Sequence, residues 1–306
     1  MSQDTKVAGK ATSEPSRGGL SGRRAGRRRR LGRNGYLVGA LCVAICTVML
    51  LPLLASLLAS VKPTAEAAAT PPTYLPHAVS LDSYQRLWSY QQGLPTYLFN
   101  SFGTAVLTIL LTLVLTVPAA YALARFRVPA KEFVFVILLL ALIVPYQALL
   151  TPMFLMFAKV GLTNSLLGLA IVHTAIQLPF SVYVLRNSFA AVPRELEEAA
   201  IVDGANSHQA LRKVFLPAAF PAVVTVALFA FITSWNEFLG ALVMMSKGSK
   251  FTLPLVLAAA RTETSLGGTD WGMLQAGITI SIVPCVAVYL LLQRYYVSGL
   301  MSGAVK

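Results

Sequence analysis

A tryptophan and two polar residues stand side by side in a long apolar stretch: Trp235, Asn236 and Glu237, within SWNEFLGAL. An ionisable residue in such a stretch is costly to bury and often marks a pathway through a membrane. An aromatic face beside hydrogen-bonding groups also suits the binding of a sugar. The same trio fits an interfacial cluster that anchors a helix at the membrane surface. The residue types favour neither alternative over the other.

Three further polar side chains lie in apolar surroundings. His173 and Gln177 are four residues apart and therefore share one face of a helix. Two roles fit this pair: hydrogen bonding to a neighbouring helix, or lining of a pore. Gln147 follows Pro145, a residue that bends helices, so we expect a structural role for Gln147.

Other kinds of chemistry find little support in the sequence. There is no G-x-x-x-x-G-K-[ST] segment to hold the phosphates of ATP, so we expect no cofactor on this chain. The histidines fall in three separate regions, and each cysteine lies in an apolar segment, so we expect neither a metal site nor a catalytic centre. These residues are His77, His173, His208, Cys42, Cys46 and Cys285.

The composition indicates the elements that position these groups. Hydrophobic residues make up 56% of the 306 residues and charged residues only 12%, against about 25% charged in soluble domains. The mean hydropathy is +0.67. Apolar stretches long enough for membrane helices predict an all-α integral membrane protein with six transmembrane helices. The predicted spans are residues 36–60, 100–124, 133–157, 166–185, 218–244 and 271–292.

The basic residues predict the orientation of these spans. Of the 25 Lys and Arg residues, 19 fall in the two terminal segments and in segments 125–131 and 186–217. The positive-inside rule therefore places both termini and segment 186–217 in the cytoplasm of a cell whose plasma or inner membrane the chain crosses. No basic stripe accompanies the net charge of +13, so we expect no nucleic-acid partner.

Residues 1–35 are rich in Gly, Ser and Arg and are predicted to form a disordered basic tail before a membrane domain of residues 36–306. The arginines orient the first span, and contact with anionic membrane lipid is a second role that fits them. A cleavable signal peptide is the alternative for this end, since AEAAAT at 65–70 offers small residues. The apolar run exceeds the usual 7–15 residues, which favours an uncleaved anchor.

Segment 186–217 is too polar to span the membrane. Pro193 suits a helix start, and acidic residues follow it in the first turns, where the helix dipole favours them. Gly204 suits a left-handed helix end, and Ser207 can cap a second short helix before Leu216 and Pro217 lead back to the bilayer. Two interpretations fit: a solvated connector, or a docking element for a cytoplasmic protein.

The spacing of this segment resembles the EAA loop of ABC-importer permeases. The residues that carry the resemblance are Glu198, Ala199, Ala200, Gly204, Val214, Leu216 and Pro217, with Val214 where the family usually has isoleucine. Further stretches are similar to the carbohydrate-uptake branch, and in particular to its maltose-type second permease subunit. They are AYALARFRVPAK (120–131), VPYQALLTPMF (144–154), SWNEFLGAL (234–242) and GLMSGAVK (299–306).

This resemblance implies a set of partners and a role for the loop. Such permeases pair with a second homologous permease, two ATPase subunits that bind ATP, and an extracytoplasmic solute-binding protein that delivers a sugar or related polyol. The implied coupling helix lies between spans four and five. In it, Glu198 meets a basic residue of an ATPase subunit, Ala199 and Ala200 pack closely, and Gly204 makes the turn after Asp203.

A secondary transporter or channel without an ATPase is the alternative function, since six spans with intramembrane polar residues would permit it. The fixed spacing of segment 198–217 opposes this alternative, and the two halves of the chain show no inverted repeat. A membrane enzyme lacks a converging cluster of reactive side chains. The sequence therefore favours a non-catalytic permease subunit.

Overall fold

The computed structural model describes residues 33–69, 71, 73–261 and 269–302, and all regular structure in these residues is helical. The helices of the first half are α1 (Arg33–Ser60), α2 (Thr64–Ala67), α3 (Asp82–Ser89), α4 (Leu94–Arg125), α5 (Lys131–Leu140) and α6 (Tyr146–Lys159). Those of the second half are α7 (Leu166–Ala190), α8 (Arg194–Val202), α9 (Ser207–Ala210), α10 (Leu216–Ala218), α11 (Phe220–Asn236), α12 (Leu239–Met244), α13 (Leu253–Ala260) and α14 (Trp271–Ser302). A π-helical turn, Leu211–Phe215, joins α9 to α10, and a 3-10 turn, Gly248–Lys250, precedes α13.

Four helices of the described residues are long and apolar enough to cross a membrane: α1, α4, α7 and α14. A fifth crossing results if Ser207–Ala218 and Phe220–Asn236, which meet at an 80° bend, form one span. The predicted spans one, two, four and six therefore correspond to single helices. Nothing in the length and composition of the other helices establishes the predicted total of six.

The third predicted span, residues 133–157, is not one continuous helix. It is divided into α5 and α6, of 10 and 14 residues, by a turn that ends at Pro145. Proline lacks an amide hydrogen and disfavours helical geometry at the residue before it, so the helix must restart there. The fifth predicted span, residues 218–244, is also interrupted, because Glu237 has extended backbone between α11 and α12.

The chain divides into two compact units, residues 1–50 and 51–306. In the described part of the first unit, every side chain from residue 36 to residue 50 is exposed along α1. Apolar side chains exposed around a whole helix suit a lipid environment. In the second unit α4 is central, because it packs against both α7 and α11, and α11 in turn packs against α14.

The face that α4 buries is lined by hydroxyl residues four positions apart: Thr104, Thr108, Thr112 and Thr116. Three of these hydroxyls donate to the carbonyl four residues earlier, for example Thr108 Oγ1 to Thr104 O at 2.8 Å. Such bonds satisfy the hydroxyl within its own helix. Small side chains then let the neighbouring helices approach closely, which is how membrane helices commonly associate.

Candidate functional site

The segment predicted to dock a partner forms a bent helical unit, residues 194–218, which we term the elbow. Its first helix, α8, follows Pro193 and carries Glu195 and Glu197 in its first turn. The helix ends at Val202 and is followed by Asp203 and by Gly204, whose φ of +81° lies in the left-handed region that favours glycine. The amide of Ala205 donates to the carbonyl of Ala200 at 2.9 Å, which closes the helix end.

The second helix of the elbow is capped by Asn206, not by Ser207 as the sequence suggested. The amide of Gln209 donates to Asn206 Oδ1, and the amide of Asn206 donates to Gln209 Oε1, both at 2.9 Å. This reciprocal pair needs an acceptor at the cap and a Gln or Glu three residues later, a pattern that Asn206 and Gln209 fulfil. The predicted cap was therefore wrong by one residue.

The face of α8 that carries Glu198 and Ala199 packs against no other part of the described chain and is exposed. Glu198, Ala199 and Asp203 are exposed, and Ala200 is half-buried. Two large apolar side chains, Ile201 and Val202, are 60% and 87% exposed. Leu216 is half-buried and Pro217 is exposed in α10, immediately before the bend into α11. The residues of the predicted coupling motif thus lie on one continuous bent unit and leave acidic and apolar groups accessible.

The side chain of Arg125 is buried and holds the inner face of the elbow to α4 and α7. The sequence did not predict this role. Arg125, the last residue of α4, donates from Nη2 to the carbonyls of Phe189, at 2.7 Å, and Val192. Its Nη1 lies 3.6 Å from Glu197 Oε2. The guanidinium carbon also lies 4.7 Å from the ring centre of Phe215, in the π-helical turn. Only its position at a basic helix end could have indicated this role.

Glu237 lies at the centre of a second site, an intramembrane polar network of Tyr146, His173, Ser234 and Glu237. The Tyr146 hydroxyl donates to Glu237 Oε1 at 2.5 Å. The amides of Gly240 and Ala241 donate to the same carboxylate at 2.7 and 3.2 Å, so it caps α12. A Cβ on Gly240 would lie 2.9 Å from Glu237 Oε2, so a side chain there would displace the carboxylate.

His173 extends the network from Glu237 to α11. Its Nε2 lies 3.1 Å from Glu237 Oε2, and its Nδ1 lies 2.8 Å from Ser234 Oγ. The His173 ring therefore bridges the Glu237 carboxylate and the Ser234 hydroxyl. The Thr108 hydroxyl of α4 lies 3.3 Å from Ser234 Oγ. Polar contacts therefore connect α4, α6, α7, α11 and α12.

The remaining residues predicted around this region point in different directions. Gln177 is buried and accepts a hydrogen bond from Thr233 at 3.2 Å, so it also contacts α11. Trp235 is buried and donates from Nε1 to the carbonyl of Ser281 in α14. Asn236 is exposed and bonds to its own helix. Trp235 and Asn236 line one cavity of about 330 Å³ against α13 and α14, whereas Glu237 faces Tyr146 and His173.

Gln147 is exposed in the first turn of α6, after the break at Pro145. It lies on the wall of a cavity of about 360 Å³ between α6 and α7. The cavity is otherwise mostly apolar, being lined by Ala141, Leu142, Val144, Pro145, Tyr146, Leu149, Met153, Ala175, Ile176 and Pro179. Gln147 and Asn236 are thus the two predicted pathway residues whose side chains are exposed.

These features define a polytopic helical protein with a partner-accessible elbow and a polar membrane interior, as in a transport permease. Residues 116–301 match the family model for the "Binding-protein-dependent transport system inner membrane component". The chain belongs to this family of ABC-transporter permeases, and the resemblance to its carbohydrate-uptake members is confirmed by the names of its relatives.

Two relatives illustrate this similarity. The sulfoquinovosyl glycerol transport system permease protein SmoH of Agrobacterium fabrum is 35% identical, over 80% of this chain and 85% of its own. The diacetylchitobiose uptake system permease protein DasC of Streptomyces coelicolor is 33% identical, over 80% of this chain and 87% of its own. Both similarities cover the greater part of each chain.

Among solved structures, a chain of a bacterial ABC transporter involved in the import of the acidic polysaccharide alginate has a similar fold. The TM-score is 0.75 at 26% identity, with coverage of 87% of this chain and 98% of that chain. This match shows that the two chains share the overall helical fold.

Proposed function

We propose that this chain is one of two permease subunits of an ATP-driven importer, and that its cargo is a sugar, as an oligosaccharide, disaccharide, glycoside or related polyol. ATP binds to two separate ATPase subunits, and an extracytoplasmic binding protein delivers the cargo. The names of the two relatives, which refer to sulfoquinovosyl glycerol and to diacetylchitobiose, support this class of cargo. The chain itself contributes no hydrolytic chemistry.

The observation that carries this proposal is the exposed outer face of the elbow. Glu198 offers a carboxylate to a basic residue of an ATPase subunit, while Ala199 and Ala200 allow close approach. The exposed Ile201 and Val202 give the contact apolar area that would be unfavourable in water. Closure of the ATPase subunits would then move the helices attached to the elbow as rigid bodies.

This function requires a particular topology. We propose six crossings, in which α5 and α6 together form the third crossing and α11 and α12 the fifth. Both termini and the elbow then lie in the cytoplasm, in agreement with the distribution of basic residues. The basic tail, residues 1–32 of which lie outside the described residues, belongs to the same side, where it can contact anionic lipid. The permease domain comprises residues 36–306.

The translocation path is proposed to run beside the polar network. Asn236 and Gln147 are exposed and can contact cargo directly, together with groups from the partner permease. Glu237, His173 and Gln177 are buried and hold the surrounding helices, and Trp235 supports this wall from the α14 side. Broken helices at membrane depth are a common feature of transport sites, since their ends offer unpaired backbone groups.

Co-purification with the partner subunits tests the proposal. A wild-type complex should retain the ATPase subunits, and its ATP hydrolysis should rise when the cognate binding protein is added with diacetylchitobiose or another sugar. Glu198→Lys should reduce retention of the ATPase subunits, because it reverses the charge at the contact. Asp82→Lys, which reverses an exposed carboxylate outside the elbow, is the control. Equal retention in wild type and Glu198→Lys would contradict the docking role.

A further inference from the structure

We propose that Arg125 is a positioning residue that transmits movement of the elbow to helices α4 and α7. This inference rests on the proposed function, because it assigns a role within the importer cycle. Its basis is the number of separate segments that one buried side chain contacts.

Arg125 first holds the end of α7. The last carbonyls of a helix have no partners within that helix, and a cation near them is favoured by the helix dipole. Nη2 of Arg125 reaches the carbonyls of Phe189 and Val192, which lie at the end of α7 and in the link to α8. The end of α4 and the end of α7 are thereby fixed to each other.

Arg125 also holds the elbow at two points. Nη1 faces Glu197 on the inner side of α8, and the face of the guanidinium covers Phe215 in the turn before α10. The side chains of Arg125 and Glu197 are only 6% and 22% exposed, so this pair is screened less than a surface pair. Glu198 next to it remains exposed to a partner. Of these adjacent carboxylates, Glu197 therefore faces Arg125 at the end of α4, and Glu198 faces outward.

An aromatic cluster makes the attachment stiff. Phe215 is fully buried, and its ring centre lies 5.0 Å from that of Tyr121 on α4 and 6.2 Å from that of Phe189 on α7. Tightly packed rings have discrete arrangements, so a displaced elbow must carry its neighbours along or break this packing. The guanidinium joins the polar and aromatic parts of the attachment.

Lysine cannot reproduce these contacts. Arginine offers donors in a planar fork and stacks on an aromatic ring, whereas lysine presents a single compact charge. Arg125→Lys therefore keeps the charge that helps to set membrane orientation and removes the multiple attachment. Arg186 provides a matched control: it bonds Glu132 at 2.6 Å and lies 3.8 Å over Phe135, but it does not contact the elbow.

The experiment uses the complete transporter in liposomes, with its partner permease, ATPases and binding protein. The amount of diacetylchitobiose, sulfoquinovosyl glycerol or alginate oligosaccharide taken up per ATP is measured, using the probe that the wild type accumulates. Arg125→Lys and Glu197→Gln should assemble and hydrolyse ATP, while uptake per ATP falls roughly two- to thirtyfold. Arg186→Lys and Glu195→Gln should retain the wild-type ratio.

Several results would overturn the inference. An unchanged ratio in Arg125→Lys and Glu197→Gln would do so, as would an equal fall in Arg186→Lys. If Arg125→Lys fails to assemble, Glu197→Gln decides: a normal ratio, or a failure to assemble in that variant too, shows a purely structural role. A wild-type complex that hydrolyses ATP without taking up any solute would instead contradict the proposed function.

Discussion

Tyr146 and Glu237 are joined by a 2.5 Å hydrogen bond that links the first turn of α6 to the break between α11 and α12. Each residue lies where a predicted membrane span is interrupted. The hydrogen bond therefore connects two helix breaks that are 91 residues apart in sequence. Through this contact the polar network holds the two broken helices together.

Substitutions in the polar network should lower the stability of the protein, and the loss should grow with the number of hydrogen bonds removed. Tyr146→Phe loses one hydrogen bond, and we expect a loss of about 0.6–2 kcal/mol, the range for such bonds between membrane helices. Glu237→Ala should lose about 3 kcal/mol, because it also leaves His173 and two buried amides without their acceptor. Thermal unfolding of the purified complex measures both. Tyr183→Phe, at a ring that stacks on Phe135, should change stability little; a loss equal to that of Tyr146→Phe would contradict this role.

Gly204 should be required for the elbow to meet its partner. Its φ of +81° disfavours any residue with a Cβ, although no atom lies within 4 Å of the position that a Cβ would take. Gly204→Ala should therefore cost about 1 kcal/mol through the backbone alone and reduce retention of the ATPase subunits. Gly161 has a φ of +70° and equally open space, but lies outside the elbow. Gly161→Ala should keep full retention; equal effects of the two variants would count against the elbow as the docking unit.

Gly168 and Gly277 lie where neighbouring segments approach closely, and their replacement by alanine should destabilise the protein to different degrees. A Cβ on Gly168 would lie 2.1 Å from the backbone oxygen of Leu162, whereas a Cβ on Gly277 would meet the flexible end of Leu257 at the same distance. Backbone yields less readily than a side chain, so Gly168→Ala should destabilise more, by about 2–3 kcal/mol against about 1 kcal/mol for Gly277→Ala. Thermal unfolding of the two variants ranks them. A greater loss for Gly277→Ala would contradict this order.

Glu66 should make the segment after α1 sensitive to acid. A hydrogen bond from Thr73 lowers the pKa of the Glu66 carboxyl below its ordinary value, and contacts from His77 lower it further. The stabilising contribution is therefore fully present above the unfolded pKa of about 4.3 and is lost as the pH falls through the lowered folded pKa. The difference in unfolding free energy between wild type and Glu66→Gln should shrink towards acid pH. A difference that is constant from pH 7 to pH 3 would contradict this linkage.

The features that depend on local sequence were predicted well. The spans that became α1, α4, α7 and α14 are long apolar runs, and Gly204 occupies the left-handed position expected of it. The cap at Asn206 also has a local signal, the spacing from Asn206 to Gln209, which identifies it in preference to the predicted Ser207. Such features were accessible because neighbouring residues alone determine them.

The features that depend on distant contacts were not predicted. Glu237 ends α11 because its carboxylate binds the next amides and His173, which is 64 residues away. In the sequence Arg125 is an ordinary basic residue at a helix end. Its partners lie in three later segments: the end of α7, α8 and the π-helical turn. Neither hydropathy nor helical periodicity contains such information, since both describe only nearby residues.

Transport by the reconstituted complex tests the central claim most directly. Proteoliposomes would contain this chain and its partner permease, with or without the ATPase subunits, and uptake of diacetylchitobiose, sulfoquinovosyl glycerol and alginate oligosaccharide would be followed with the binding protein outside. We predict accumulation of a sugar only when the ATPase subunits and ATP are both present. Accumulation without the ATPase subunits would contradict the account of this chain as a permease driven through its elbow.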